Sequence, residues 1–154
     1  NHAFIKVSLF LAVTAIIYSY GTDSIERLAG MAKTSPCTFV LFLISGLSII
    51  GVPLTSGFIS KWYLIKASLE AGYWGLVVII VFSSVLAIIY IGRVIETAYF
   101  KPETKNTASL NNKKMPHLLF LSLFIFSFIN IYLGIETSLN VDMAFQIAHE
   151  LINK

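Results

Sequence analysis

The sequence predicts an all-α integral membrane protein, a helical bundle in which one transmembrane helix is discontinuous. Three observations carry this. Of 154 residues, 56% are hydrophobic and only 12% are charged, whereas soluble domains carry roughly 25% charged residues. The apolar residues form runs long enough, at about 1.5 Å per helical residue, to cover a hydrocarbon layer of about 30 Å. One of these runs breaks at Gly51-Val52-Pro53 and resumes beyond Gly57 with a lysine, Lys61, in its interior.

Residues 3–20 form the first span, apolar apart from Lys6, Ser8, Thr14 and Ser19 and about 27 Å long as a helix. Gly21-Thr22-Asp23 ends it. The second span covers 36–69 and opens with Pro36, suited to a first helical turn because its missing N–H would have had no partner there. It consists of two apolar runs, each too short to cross alone, separated by an interruption at 51–57 with Gly51, Pro53 and Gly57 as the expected hinge. Two halves of one membrane-spanning unit fit this pattern. Gly72 precedes the third span, 73–100, long enough to cross with tilt. Residues 101–115 are polar and rich in Asn and Lys, an exposed loop. Pro116 opens the last span, 117–133. The bundle thus occupies 1–134. In the tail, 135–154, Val141, Ala144, Phe145, Ala148, Leu151 and Ile152 recur at spacings of three and four, as in a short amphipathic helix on a membrane surface. The chain starts at Asn1 with residues that already read as helix and lack signal-peptide features, so a preceding segment is expected.

Counting crossings puts the loops 21–35 and 101–115 on one face. They hold Arg27, Lys33, Lys101, Lys105, Lys113 and Lys114 against Asp23, Glu26 and Glu103. The other face holds Glu70, Glu136, Asp142 and Glu150, with Lys154 as the basic residue. Basic loops favour the cytoplasm, so these loops are expected inside and the C-terminus outside. Tyr18, Tyr20, Trp62, Tyr63, Tyr73, Trp74, Tyr99 and Tyr132 fall mostly near segment ends, as in an interfacial aromatic belt.

Lys61 is the residue that needs explaining. A lysine at the centre of a membrane helix costs about 2.5–3.5 kcal/mol on insertion scales. A helix break adds unpaired backbone groups that must face protein or water. Both demands are met together by a hydrated polar site inside the bilayer, and the position of Lys61 well inside 36–69 argues against simple snorkelling to the surface. His2 and Lys6 stand at i and i+4 on one helix face. Imidazole titrates near neutrality, so such a pair beside a wet cavity can pass on a proton with little energetic mismatch. Lys66, five residues after Lys61, points about 140° away on the helix and is expected at the interface. Arg93 and Glu96, at i and i+3, are expected to form a structural ion pair, with Ser83 and Tyr90 extending that polar face inward.

Other chemistries are not encoded. The single cysteine, Cys37, allows no internal disulfide and no iron–sulfur ligand set, and no His/Cys/Asp/Glu cluster has metal-ligand spacing. There is no nucleophile elbow, phosphate-binding loop or dinucleotide fingerprint, so neither a cofactor nor a catalytic residue is expected. No basic–aromatic stripe points to nucleic acid. What remains is movement of protons or ions.

NHAFIKVSLFL, followed some fifty residues later by LSIIGVPLTSGFISKWYLIKASLEAG, resembles the proton-conducting antiporter-like membrane subunits of Mrp-type cation/proton antiporters and respiratory complex I. The likeness runs from Asn1 to about Phe100 and looks most like the D-type antiporter subunit, with the N-type NADH-quinone oxidoreductase subunit next. It implies the end of an inverted-repeat antiporter-like fold, with Lys6 as the central-axis lysine, His2 as its neighbouring histidine and Lys61 as the ionisable residue of the second broken helix. It implies proton relay through these residues, exchange against Na⁺, other membrane subunits as partners and a bacterial inner membrane. The family's first repeat has no counterpart in this sequence.

Overall fold

The structure, a computed structural model, describes residues 1–102 and 113–152, without the side chains of residues 139, 140, 145, 151 and 152. Glu103, Lys105 and Lys154 of the charge count, and the side chains of Phe145, Leu151 and Ile152 in the tail pattern, lie outside the described residues.

Among the described residues six α-helices follow in order: α1 (His2–Tyr20), α2 (Pro36–Ile50), α3 (Ser56–Glu70), α4 (Trp74–Phe100), α5 (His117–Ile135) and α6 (Ser138–Ile152), with a 3-10 turn at Ile25–Leu28. Among the described residues there is no strand. α1, α4 and α5 are long and apolar enough to cross a membrane, whereas α2 is apolar but shorter. The outward faces agree with a lipid surround. Val78, Ile79, Phe82 and Ile89 of α4 are each more than 60% exposed, a burden of bare hydrocarbon that a water-soluble surface avoids.

α1 packs on α2 and α5, and α2 touches every other helix of the bundle from α1 to α5. Small residues allow the close approach. Ala12 and Ala15 are completely buried beside Leu41, Phe42, Ile91 and Leu123, as expected where helices must pack by contact because lipid supplies little hydrophobic drive. A second core, of Ile16, Tyr20, Leu28, Met31, Ala32, Phe39 and Ala98, is closed by the 21–35 loop folding back over the helix ends. Backbone bonds fix that loop: Gly30 N–H donates to Thr97 O (3.4 Å) and Ala32 N–H to Ala98 O (3.2 Å). Lys113 N–H donates to Ser19 O (3.0 Å), which holds Lys113 at the end of α1 where the 21–35 loop begins.

Two expectations are corrected. The interruption is shorter than 51–57, because α3 resumes at Ser56. Gly57 therefore lies in the first turn of α3, not in the hinge. It is needed there for space, since a Cβ would run into the carbonyl oxygen of Ser48. Tyr20 is not an interfacial residue. It is 4% exposed and its hydroxyl donates to Ser35 Oγ (2.7 Å), pinning the loop to α1. In α6, Val141, Ala144 and Ala148 line a cavity of about 270 Å³ together with Asn1, Ile59, Ser60 and Tyr63.

Candidate functional site

The site is built by the way α2 ends. A helix leaves its last carbonyls without intrahelical donors. Gly51 stops α2 in the left-handed conformation (φ 91°), where glycine has no Cβ penalty. Its N–H and that of Val52 both return to Leu47 O, at 3.0 and 3.1 Å. The carbonyls of Ile49 and Ile50 are left over. Pro53 cannot donate, and the chain turns through Leu54, a non-glycine at φ 73°. The Thr55 hydroxyl then donates to Val52 O (2.6 Å), closing the turn before α3 begins.

Lys61, one and a half turns into α3, reaches back across this break. Its Nζ donates to Ile49 O (2.9 Å), Ile50 O (3.0 Å) and Ser84 Oγ of α4 (2.6 Å). An ammonium has three donors, and all three are used. The charge rests on the negative end of the α2 dipole rather than on a carboxylate. Ser84 in turn donates to Ile80 O one turn back (3.3 Å), leaving its lone pairs for the amine. Gly51 matters again: a Cβ there would come within 3.0 Å of Lys61 Cδ, in the path of the side chain. Ser84 stands about 15 Å from the start of α4 and about 24 Å from its end, counting residues 74 to 84 and 84 to 100. The amine is therefore deep in the bundle's length and does not snorkel outward.

A cavity of about 340 Å³ opens beside the amine, lined by Lys61, His2, Ser48, Ser60, Ser83 and Tyr90 among others. A second, of about 410 Å³, is lined by Lys6, Thr22 and Asp23 within a largely apolar wall. Ile49 and Tyr90 line both. Of the sequence-predicted trio, His2 thus shares a cavity with Lys61, while Lys6, one turn further along α1, opens on the neighbouring cavity. Neither His2 nor Lys6 forms a hydrogen bond or ion pair among the described residues.

One charge expectation is corrected. Arg93 and Glu96 are both exposed and not bridged; an ion pair forms instead between Lys66 and Glu70, at i and i+4, 3.9 Å apart and largely solvent- or lipid-facing. An exposed helical pair contributes only about 0.3–0.5 kcal/mol, too little to hold Arg93 and Glu96 in one geometry.

Sequence reasoning misses two sets of residues. It selects Ser83 and not its neighbour Ser84, although two adjacent serines in an apolar helix are a visible signal. The other set is a buried polar network at the start of α3. Asn130 of α5 donates through Nδ2 to Ser8 Oγ of α1 (2.9 Å) and Phe126 O (3.0 Å). Its Oδ1 accepts from Ser56 Oγ (3.1 Å), which lies 3.4 Å from Ser48 Oγ of α2. Ser8, Ser48, Ser56 and Asn130 are all 0% exposed. Four helices are tied at the level of the break, and the only advance sign is one Asn in the middle of an apolar span.

A helical membrane bundle with a lysine seated on a broken helix defines a class, the transporter-like subunits whose discontinuous helices line polar sites. Residues 1–87 match the family described as NADH:quinone oxidoreductase/Mrp antiporter, transmembrane, and the chain belongs to this family. It is 43% identical over 101 residues to the N-type subunit of NADH-quinone oxidoreductase from Desulforudis audaxviator, covering 66% of this chain and 20% of that protein. It is 28% identical over 149 residues to the D-type subunit of the Na(+)/H(+) antiporter from Bacillus subtilis, covering 97% of this chain and 30% of that protein. The fold matches a chain in the structure of the Mrp complex from Dietzia sp. DQ12-45-1b with a TM-score of 0.79 at 22% identity, covering 90% of this chain and 33% of that one. The chain therefore spans a fifth to a third of the length of these relatives.

Proposed function

We propose that this chain forms the part of a multisubunit cation/proton antiporter's membrane subunit in which protons pass along the membrane interior, and that Lys61, His2 and Lys6 carry them. The observation that supports this reading most is the Lys61 amine, held by Ile49 O, Ile50 O and Ser84 Oγ at the wall of the cavity that His2 also lines. The partners of the amine are neutral oxygens, with no carboxylate among them. His2 lines the same cavity as the amine, and Lys6 follows one turn along α1. Protonation of one amine disfavours protonation of the other through like-charge repulsion, which gives the relay its alternation. Na⁺ is the cation expected to be exchanged, the basic loops face the cytoplasm of a bacterial cell, and other membrane subunits complete the machine.

The test is Lys61→Ala in the complete complex, reconstituted in vesicles with a pH-sensitive dye. Proton-coupled transport is lost while assembly persists; transport at the wild-type rate would remove Lys61 from the mechanism. A second reading is a proton-pumping subunit of a quinone oxidoreductase, favoured by the 43% identity to an N-type subunit. There the same lysine carries protons, but acidification of the vesicle requires a quinone and an electron donor rather than an Na⁺ gradient.

A further inference from the structure

The start of α2 has a polar cavity of its own, about 21 Å along the helix from the carbonyls that hold Lys61, counting residues 36 to 50. Its volume is about 290 Å³, and Ser19, Ser35, Thr38, Lys113 and Lys114 supply polar wall. We propose that this cavity binds a phosphate group, carried by an anionic phospholipid headgroup or present as free phosphate. The site needs nothing from the proton relay.

The donors around the cavity are unspent. Ser35 is the N-cap residue of α2, yet its side chain makes no capping bond. Its Oγ accepts from the Tyr20 hydroxyl instead (2.7 Å). Pro36 has no N–H to offer, and the first helical bond runs from Phe39 N–H to Ser35 O (3.3 Å). The N–H groups of Cys37 and Thr38 therefore stand open at the positive end of the helix dipole, where anions bind. Ser19 and Thr38 are buried, at 6% and 7% exposed, and neither hydroxyl has a hydrogen-bond partner among the described residues. Nor is either sealed off: the sealed and unpartnered side-chain atoms among the described residues are Asn1 Oδ1 and Tyr99 Oη. A buried hydroxyl without a partner is costly, and a ligand oxygen in the cavity relieves it.

The charge is unbalanced as well. The bond from Lys113 N–H to Ser19 O (3.0 Å) fixes the start of the Lys113–Lys114 pair at the cavity. Among the described residues neither ammonium is paired, and no Asp or Glu lines the cavity. Two cations, two unpaired hydroxyls and a helix start suit a ligand with negative charge and several acceptor oxygens, which is what phosphate offers. The position brings lipid within reach. The cavity lies where α1 ends and α2 and α5 begin, the level at which a spanning bundle meets the headgroups. Pro36 and Phe120 form part of its wall. One turn deeper on the same two helices, Val40 and Phe124 are 45% and 51% exposed, an apolar track for an acyl chain. Basic pockets between transmembrane helices are a general form of headgroup site.

The experiment is equilibrium binding to the complete complex in neutral detergent, with radiolabelled dihexanoyl phosphatidylglycerol and inorganic phosphate as separate probes. Saturable binding of phosphatidylglycerol is expected, weakened more than about tenfold when Lys113→Ala and Lys114→Ala are combined, since two charge-assisted contacts go. Thr38→Val, which keeps the shape and removes the hydroxyl, weakens it about three- to fivefold. Lys33→Ala, an exposed basic residue that does not line the cavity, stays within about twofold. Inorganic phosphate that binds with the same variant pattern and displaces the lipid makes the free ion sufficient. Phosphatidylglycerol binding that inorganic phosphate does not displace assigns the site to the headgroup with its chains. Binding of neither probe, or binding unchanged in the double lysine variant, overturns the site. A loss in Lys33→Ala as large as in the double variant also overturns it, because the attraction then belongs to a diffuse basic surface. If Thr38→Val does not assemble, the exposed lysines decide the matter.

Discussion

The two ends of α3 carry a lysine each, and the two lysines have opposite fates. Lys61, near the start, turns inward and spends its three protons on the end of α2 and on Ser84. Lys66, five residues later, faces outward and meets only Glu70 at 3.9 Å. Residue type and helix are shared. What differs is the neighbour: the early turns of α3 lie against a helix end with carbonyls to spare, and the late turns do not. A membrane-embedded charge is therefore read from the backbone opposite it, not from the side chain itself.

The sharpest way to break this comparison is to keep the charge and remove the exchangeable proton. Lys61→Arg retains a cation, but guanidinium stays protonated, so proton-coupled transport is expected to fall more than tenfold, on the order of 1.4 kcal/mol or more in barrier. Lys66→Arg stays within about twofold. Dye-monitored transport in vesicles reads both. Equal losses at the two positions would erase the distinction between them.

The largest effect on stability falls at the close contact between α2 and α3. Gly57→Ala drives a Cβ into the Ser48 carbonyl, and backbone on backbone cannot yield as a side chain does. A cost of about 3 kcal/mol is expected, at the upper end for overpacking, seen as lowered heat stability of the complex in detergent. Gly51→Ala is milder, about 1–3 kcal/mol for a left-handed non-glycine residue. It should also slow transport, because the new methyl crowds Lys61 Cδ.

Smaller still is Asn130→Leu. It leaves Ser8 and Ser56 without their shared partner, and interhelical hydrogen bonds in membranes are worth about 0.6 kcal/mol on average. A loss of about 1 kcal/mol is expected in the same heat-stability assay, since two such bonds go together. At the bottom, Glu70→Ala and Arg93→Ala shift stability by less than about 0.5 kcal/mol, as for exposed charges generally.

The discontinuous helix is legible in the sequence because Gly51 and Pro53 act locally: one favours a left-handed end, the other withholds a donor. Lys61 is legible because a charge amid apolar residues needs an explanation wherever it occurs. The extent of the break is not. Gly57 looks like a hinge residue in sequence, but its reason is contact with Ser48, a packing fact that only the fold supplies. Ser84 and the Ser8–Ser56–Asn130 network stay hidden for a related reason. A serine in an apolar helix is satisfied by its own carbonyl four residues back, as Ser45 is by Leu41 O, so its presence does not announce a partner on another helix. His2 and Lys6 share a face by spacing, yet one turn of rise is enough to put them on different cavities.

Proton relay requires the broken helix to open to water at the Lys61 amine. Cysteine accessibility measures this directly. Cys37, the single cysteine, is exposed, so Cys37→Ser gives a clean background for Lys61→Cys and, as a control, Ile89→Cys on the lipid-facing side of α4. A cationic, membrane-impermeant thiosulfonate, read by mass of the subunit, should modify position 61 and leave position 89 untouched. No modification at 61, or equal modification at both, would contradict the hydrated site.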